Sequence, residues 1–283
     1  MIHVRILLGA KNLSFSLSCL TSFVTYCKNK YTLYVHEDGS LTDELRAQIC
    51  EALGPIHFIS PQQADELINP LLAEYPGCQA IRNDTFMFKK YFDSLLLTPP
   101  QAPLLILDSD ILFFRPFKFP DLKDTKSVYF VKANYSTYAL YPWHLKPIGN
   151  LKIKEYLCAG FIYTRNTAAE LPFIENWLQS NSIQLAKKRK PSHLFEQTSW
   201  ALSKSNFGEP HHFDSAQLMN ASAKIDINPD KLVGIHFVGT YRYQFEKYKG
   251  LKLSQNTVEL KANLAKNLTP INFILQRLKA RYS

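Results

Sequence analysis

The sequence predicts an α/β protein in which a mixed, mostly parallel sheet is flanked by helices. Three observations predict this class. Strand-like and helix-like segments alternate along the first part of the chain, which is the order that builds a parallel sheet with crossover helices. An aliphatic run at 104–107 is typical of a strand buried on both faces. The 283 residues are 46% hydrophobic and 20% charged, as in a globular protein with a sizeable core.

Two kinds of local pattern predict the individual elements. Strands are predicted where β-branched, aliphatic and aromatic residues form short runs that end at glycine, proline or acidic residues. Helices are predicted where longer segments follow turn signals, and Thr42 is the expected N-cap of one of them. The predicted strands are 4–9, 31–36, 56–59, 104–107, 128–133, 156–164 and 232–238, and the predicted helices are 14–27, 42–53, 61–75, 83–97, 168–180 and one that begins at Glu196.

Charge and cysteine content limit the partners and the compartment. A formal charge of +9 suits a phosphorylated ligand or an anionic membrane surface. Nucleic acid is not expected, because the sequence lacks zinc-finger, RNP-type and basic-zipper signatures. The five cysteines are scattered without a CxxC pair, so we expect reduced thiols. No run of 18 apolar residues and no signal-peptide pattern occurs, and we therefore expect a cytoplasmic protein.

The chain is expected to consist of one domain, residues 1–250, and a basic amphipathic helical tail, residues 251–283. The segments 260–266 and 273–281 combine lysine or arginine with apolar residues. Such a tail either docks on the domain or lies on an anionic membrane surface. In the second case the protein would be peripheral on the inner face of the membrane.

Two aspartates, Asp108 and Asp110, directly follow the apolar strand. Carboxylates flanked by apolar residues need a positive partner to stay ionised. Alternate residues of an extended segment point the same way, so both carboxylates can reach one cation. Hard oxygen ligands suit Mg²⁺ or Mn²⁺, which complete their shells with water and phosphate oxygens. The triplet with Ser109 therefore predicts a metal site that handles a diphosphate, although such triplets also occur in solvated turns.

Two further motifs occur after the aspartate triplet in the chain. The run from His236 to Arg242, HFVGTYR, matches an HxxGxxK pattern except for its final arginine. Glu196 and Gln197 form an acidic-Gln pair, preceded in the chain by the triplet 158–160, CAG. With the aspartate triplet, these motifs resemble the GT-A-fold glycosyltransferases that use nucleotide sugars. The resemblance is closest to the retaining group that includes glycogenin and the bacterial lipopolysaccharide galactosyl- and glucosyltransferases, and it covers residues 4 to about 245.

The resemblance implies a hexosyltransferase that takes a sugar from a nucleotide diphosphate, most naturally UDP, and transfers it with retention. Asp108, Asp110 and His236 would hold the Mn²⁺ or Mg²⁺ ion. Gly239 would let the backbone approach the diphosphate, and Arg242 would neutralise it. The acceptor would be a glycan, a lipid-linked sugar or a protein.

The resemblance also implies roles for residues nearer the nucleotide and the sugar. Glu196 and Gln197 would be the catalytic residues, and Lys89 would face the donor. The base and ribose would be flanked by residues that follow the first two strands: Ala10, Lys11, Asn12, Glu37 and Asp38.

Two departures from the group's pattern are present, and two other functions stay open. Arg242 is a planar fork instead of a point charge, and Cys158 stands where the group carries asparagine, so sugar specificity is not carried over. A nucleotidyltransferase acting on a sugar phosphate would also use paired aspartates. A non-catalytic GT-A-like binding protein would also explain the basic tail.

Aromatic faces suit sugar rings, so an aromatic segment is expected to border the acceptor cleft: Tyr135, Tyr138, Tyr141, Trp143 and His144.

Overall fold

A mixed, mostly parallel β-sheet forms the centre of the protein, and helices flank it, as the sequence predicts. The computed structural model describes residues 1–122, 124–134, 136, 138–140, 142–145, 151–166, 170–180 and 192–282. The strands are β1 Ile2–Leu8, β2 Tyr31–Glu37, β3 Ile56–Ile59, β4 Pro103–Leu107, β5 Ile111–Phe113, β6 Phe117–Lys118, β7 Ser127–Lys132, β8 Leu157–Arg165, β9 Glu209–Phe213, β10 Leu218–Asn220, β11 Gly234–His236, β12 Val258–Glu259 and β13 Ala262–Leu264. The helices are α1 Leu13–Tyr26, α2 Asp43–Leu53, α3 Pro61–Ile68, α4 Pro76–Asp84, α5 Phe86–Leu96, α6 Pro142–Leu145, α7 Leu171–Gln179, α8 Ser192–Phe207, a 3₁₀ helix Gly239–Gln244, α9 Phe245–Tyr248 and α10 Pro270–Tyr282.

The strand order of the main sheet is β3-β2-β1-β4-β8-β7-β10-β11-β5. The neighbours from β3 to β4 are parallel, which confirms the arrangement that the alternating pattern predicts. β8 is antiparallel to both β4 and β7, and β5 is antiparallel to β11. The carboxyl ends of β1, β2 and β4 consequently share one edge of the sheet, where open α/β sheets bind their ligands.

Strand β4 is buried on both faces, as its unbroken aliphatic run predicts. Leu104 and Ile106 pack into the core cluster that includes α5 and α8. Leu105 and Leu107 pack into the cluster that includes α1 and α2. Two hydrophobic layers therefore hold the end of β4 in place.

Three predicted helices have clearly different bounds. The helix predicted at 61–75 ends at Ile68. The helix predicted at 83–97 begins at Phe86, because Thr85 is extended, with φ −138° and ψ 107°, and separates α5 from α4, which ends at Asp84. A proline begins α4 at Pro76, where its missing N–H costs no hydrogen bond. The helix that contains Glu196 begins earlier, at Ser192. Thr42 caps α2 as predicted, since its hydroxyl accepts a hydrogen bond from the Leu45 N–H at 3.3 Å.

The tail differs from the predicted helix in its first part. Residues 258–264 include β12, which pairs with β6, and β13, which extends the main sheet beside β9. Backbone pairing with these strands outweighs the amphipathic pattern of this short segment. Among the tail residues that the structure describes, only those of α10 are helical, and the domain boundary near residue 250 stays a prediction. Among the described helices, none combines the length and the apolar character that a membrane span requires.

Candidate metal and nucleotide site

The end of β4 and the strand β11 bring three candidate metal ligands together. The Asp108 N–H donates to the Gly160 carbonyl at 2.8 Å, which fixes the start of the turn against β8. After Asp110 the chain enters β5, which pairs with β11 so that Ile111 lies opposite His236. The His236 Nε2 atom consequently lies 2.9 Å from Oδ1 of Asp110 and 4.0 Å from Oδ2 of Asp108.

This cluster has the composition and the space of a cation site. One ligand atom from each of Asp108, Asp110 and His236 lies within 4.8 Å of the others. Asp110 is 4% exposed and His236 is 2% exposed, yet Asp110 Oδ1 and His236 Nε2 make no hydrogen bond although they are 2.9 Å apart. A Cβ atom at Gly160 would lie 2.3 Å from His236 Cε1, so only glycine leaves room for this cluster. Buried oxygen and imidazole atoms without hydrogen bonds fit a divalent cation as their shared partner.

Two cationic side chains surround the aspartates. The Arg242 guanidinium donates to Oδ2 of Asp110 at 2.8 and 3.2 Å. Burial alone would raise the pKa of Asp110, but the charges of His236 and Arg242 lower it below its usual value. Burial alone would lower the pKa of His236, whereas the Asp110 carboxylate raises it well above the usual range. On the other side, the Lys90 ammonium donates to Oδ1 of Asp108 at 2.9 Å.

The lysine that faces the aspartates is Lys90, whereas its neighbour Lys89, which is predicted to face the donor, points away from them. Neighbouring side chains on a helix point about 100° apart. Lys90 of α5 points to the sheet and is 3% exposed, while Lys89 points to α3, with its Nζ atom 3.6 Å from Asp65. Burial alone would lower the pKa of Lys90, but Asp108 and Glu196 raise it, so its charge is retained.

Glu196 of α8 lies behind Lys90 and is 2% exposed. Its Oε1 atom is 3.3 Å from Lys90 Nζ and accepts a hydrogen bond from the Trp200 indole at 2.8 Å. Burial raises the pKa of Glu196 to about 7, although the Lys90 charge opposes this shift. Gln197, the next residue on α8, is half-buried. The structure therefore brings Glu196 into the charged cluster through Lys90.

Two side chains lie on the far side of the imidazole, and one of them, Asn220, was not predicted. The Asn220 Oδ1 atom lies 2.9 Å from His236 Nδ1, and the Cys158 Sγ atom lies 3.6 Å from the same nitrogen. Asn220 ends the short strand β10, in register with His236 on β11. Its three-residue strand carries no motif, so only the strand pairing identifies it.

A depression of about 230 Å³ adjoins the cluster at the end of β1. Asp38 packs so closely on the β1 end that a Cβ atom at Gly9 would lie 1.9 Å from its carboxylate. The Ala10 N–H donates to the Ser40 hydroxyl at 2.8 Å, and that hydroxyl donates to Asp38. The depression is lined by Leu7, Leu8, Gly9, Lys11, Asn12, Phe15, Ser16, Ser109 and Arg242. Of the residues predicted to flank the nucleotide, Lys11 and Asn12 therefore line this depression, while Ala10 and Asp38 lie beside it at the end of β1.

Glu37 does not reach this depression. Its carboxylate accepts two hydrogen bonds from Arg46, each at 2.8 Å, and it lines a separate depression beside Phe58.

Gly239 begins the 3₁₀ helix that carries Arg242, with φ at +57°, and open space surrounds its Cβ position. A positive φ favours glycine, and the open space leaves the backbone accessible.

Within the predicted aromatic segment, the structure describes the side chains of Tyr138 and Trp143. Tyr138 is buried in the core, and its hydroxyl donates to the Lys154 carbonyl at 2.6 Å, which argues against a place for it in an acceptor cleft. Trp143 is exposed and packs edge-on against Phe273 of α10. Tyr135, Tyr141 and the side chain of His144 lie outside the described residues.

The fold is that of the GT-A glycosyltransferases, which confirms the predicted resemblance at the level of fold. Mouse xyloside xylosyltransferase 1 superposes with a TM-score of 0.51 and 15% identity over 79% of this chain and 88% of its own. The galactosyltransferase LgtC, in complex with donor and acceptor sugar analogues, gives a TM-score of 0.48 and 13% identity over 88% of this chain and 95% of its own. No protein-family model matches the chain, and no curated protein matches it significantly.

Proposed function

We propose that the protein is a metal-dependent glycosyltransferase that moves a hexose from a UDP-sugar to a glycan, lipid-linked or protein acceptor with retention. The observation that carries this proposal is the joining of the Asp108, Asp110 and His236 cluster to the depression at the end of β1. A divalent ion and a nucleotide bound at adjoining places would meet at the diphosphate. The fold of the neighbouring structures supports the same class of reaction.

Three residues of the chain would supply positive charge to the diphosphate end of the donor. Mn²⁺ or Mg²⁺, held by the two aspartates and the histidine, would stabilise the charge on the leaving diphosphate as a Lewis acid. The Arg242 side chain is half-exposed, and a guanidinium binds phosphate oxygens bidentately. Lys90 adds a buried ammonium beside Asp108. Lys11 lines the depression at the end of β1 and would contact the bound nucleotide from the outer side of that depression.

The position of Glu196 supports retention. An inverting transferase needs a carboxylate base directed at the acceptor hydroxyl. Glu196 is enclosed and contacts Lys90 and Trp200, which supports a role in holding Lys90. Gln197 is less enclosed and is the better candidate of the pair to touch the sugar. Attack from the face that the diphosphate leaves then accounts for retention without an exposed carboxylate base.

A donor screen tests the proposal. The purified chain is incubated with Mn²⁺ and a panel of UDP- and GDP-sugars, and the release of nucleoside diphosphate is measured. We expect release from a UDP-hexose and a decrease of about 10²-fold or more in the Asp110→Asn variant, because a preorganised charge is lost. Asp43→Asn is the matched control, since Asp43 is exposed on α2. The anomeric coupling in the NMR spectrum of the product tests retention.

The same assay separates the two other functions. Pyrophosphate released from a nucleoside triphosphate and a sugar phosphate would identify a nucleotidyltransferase. Binding of a UDP-sugar with no release of product, with and without candidate acceptors, would identify a non-catalytic binding protein. Either result contradicts the proposed transfer.

The tail supplies the second part of the proposal, a peripheral contact with an anionic membrane. Helix α10 docks through Phe273 and Gln276, which are buried. The opposite side exposes a row of apolar side chains at helical spacing: Ile271, Ile274, Leu275 and Leu278. A basic amphipathic helix with such a row suits a surface of anionic lipid. The side chains of Arg277, Lys279 and Arg281 lie outside the described residues.

A further inference from the structure

The amide of Asn220 has only one orientation that satisfies its two neighbours. Asn220 is buried at the end of β10, with its Nδ2 atom 3.4 Å from the Lys132 carbonyl and its Oδ1 atom 2.9 Å from His236 Nδ1. A backbone carbonyl only accepts hydrogen bonds, so it must face the amide NH₂ group. The amide oxygen is thereby turned towards the imidazole.

This orientation assigns the proton on the imidazole ring. An amide oxygen is an acceptor only, so the His236 Nδ1 atom must carry the hydrogen that it accepts. Cys158 does not disturb this assignment, because a thiol sulfur 3.6 Å from Nδ1 also accepts weakly from N–H. The remaining ring nitrogen, Nε2, faces Asp110 and is one of the two buried atoms without a hydrogen bond in the cluster.

We propose that Asn220 is a positioning residue that keeps a proton on Nδ1 of His236 and fixes the ring plane, so that Nε2 is the nitrogen that faces and binds the cation. The inference rests on the proposed function, since it concerns the metal of that site. Metal-binding histidines are commonly oriented by an acceptor on the second ring nitrogen, and loss of that acceptor typically weakens metal binding by about 10- to 100-fold. In this chain a neutral amide provides the acceptor instead of a carboxylate.

Two variants separate the acceptor from the space that the side chain fills. Asn220→Leu keeps a similar volume without an acceptor, and Asn220→Asp keeps an oxygen that can accept from Nδ1. The dissociation constant of Mn²⁺ is measured by the EPR signal of the free ion, and thermal unfolding checks that each variant is folded. We expect Asn220→Leu to weaken Mn²⁺ binding by about 10-fold or more. We expect Asn220→Asp to bind close to the wild-type value.

The ¹⁵N spectrum of His236 in the Mg²⁺-loaded wild-type protein tests the proton directly, independent of activity and of any variant. We expect a protonated Nδ1 and a metal-bound, proton-free Nε2. A lone pair on Nδ1, or wild-type Mn²⁺ affinity in Asn220→Leu, overturns the inference. So does a wild-type protein that binds no Mn²⁺. A wild-type protein that binds Mn²⁺ but releases no nucleoside diphosphate refutes the proposed reaction alone.

Discussion

Replacing Gly160 by alanine tests whether the cluster at the end of β4 works as a metal site. The added Cβ atom would lie 2.3 Å from His236 Cε1 and 2.9 Å from Asp108 Oδ2, whereas ordinary contacts begin at 3.4 Å. Because Gly160 is on the central strand β8, the imidazole is the group that must move, by about 1 Å. A displacement of about 1 Å in a catalytic group can cost roughly 10²-fold in rate, or about 2.7 kcal/mol.

We therefore expect Gly160→Ala to lower both Mn²⁺ affinity and nucleoside diphosphate release, the latter by about 10²-fold. Mn²⁺ binding is followed by EPR, and release is followed in the donor screen. Gly250→Ala is the matched control, because its Cβ position is open and its φ is not positive. A folded Gly160→Ala protein that binds Mn²⁺ as tightly as the wild type would refute the assigned site.

Three further predictions concern stability and the tail. Replacing Arg82 by methionine removes the guanidinium that donates to the buried Asp93 carboxylate at 2.7 Å. We expect the free energy of unfolding, measured by urea denaturation, to fall by about 3 kcal/mol. Adding Asp93→Leu should recover most of this loss, and no change in the single variant would contradict the argument. Burial lowers the pKa of His212 from 6.5 to about 4, so the unfolded chain binds more protons between these values and stability is lost as the pH falls. Between pH 7 and 5 the wild type should lose about 2 kcal/mol more than His212→Gln, and equal losses would refute this. In sedimentation with phosphatidylserine vesicles, Leu275→Ser should weaken binding by about fivefold, while Leu67→Ser, equally exposed on α3, should not.

The sequence was sufficient for the features that depend on local pattern. The aliphatic run at 104–107 predicted a strand covered on both sides, and the aspartates that follow it end at the ligand edge of the sheet. His236 was predicted from a motif, although nothing local indicates that β11 pairs with β5 and thereby brings the imidazole to Asp110. That placement needed the resemblance to known transferases.

Other features depend on small differences in rotation or on distant pairing. Lys89 and Lys90 are adjacent residues of the same type, so the sequence does not distinguish them. The exact start of α5 decides which of the two faces the sheet. Asn220 acts through a neighbouring strand, so its spacing from His236 has no local signature. The strand β13 forms because β9 offers it an edge, which composition does not reveal. Predicting any of these features requires knowledge of the three-dimensional structure.

The contact between Arg242 and Asp110 has a consequence for how the binding of the ion and the binding of the diphosphate affect each other. The Asp110 carboxylate and the incoming diphosphate compete for the Arg242 guanidinium. An ion that takes over Asp110 frees the guanidinium, and a diphosphate that attracts the guanidinium exposes Asp110 to the ion. The two ligands should therefore bind with positive cooperativity, and each should tighten the other by the same factor.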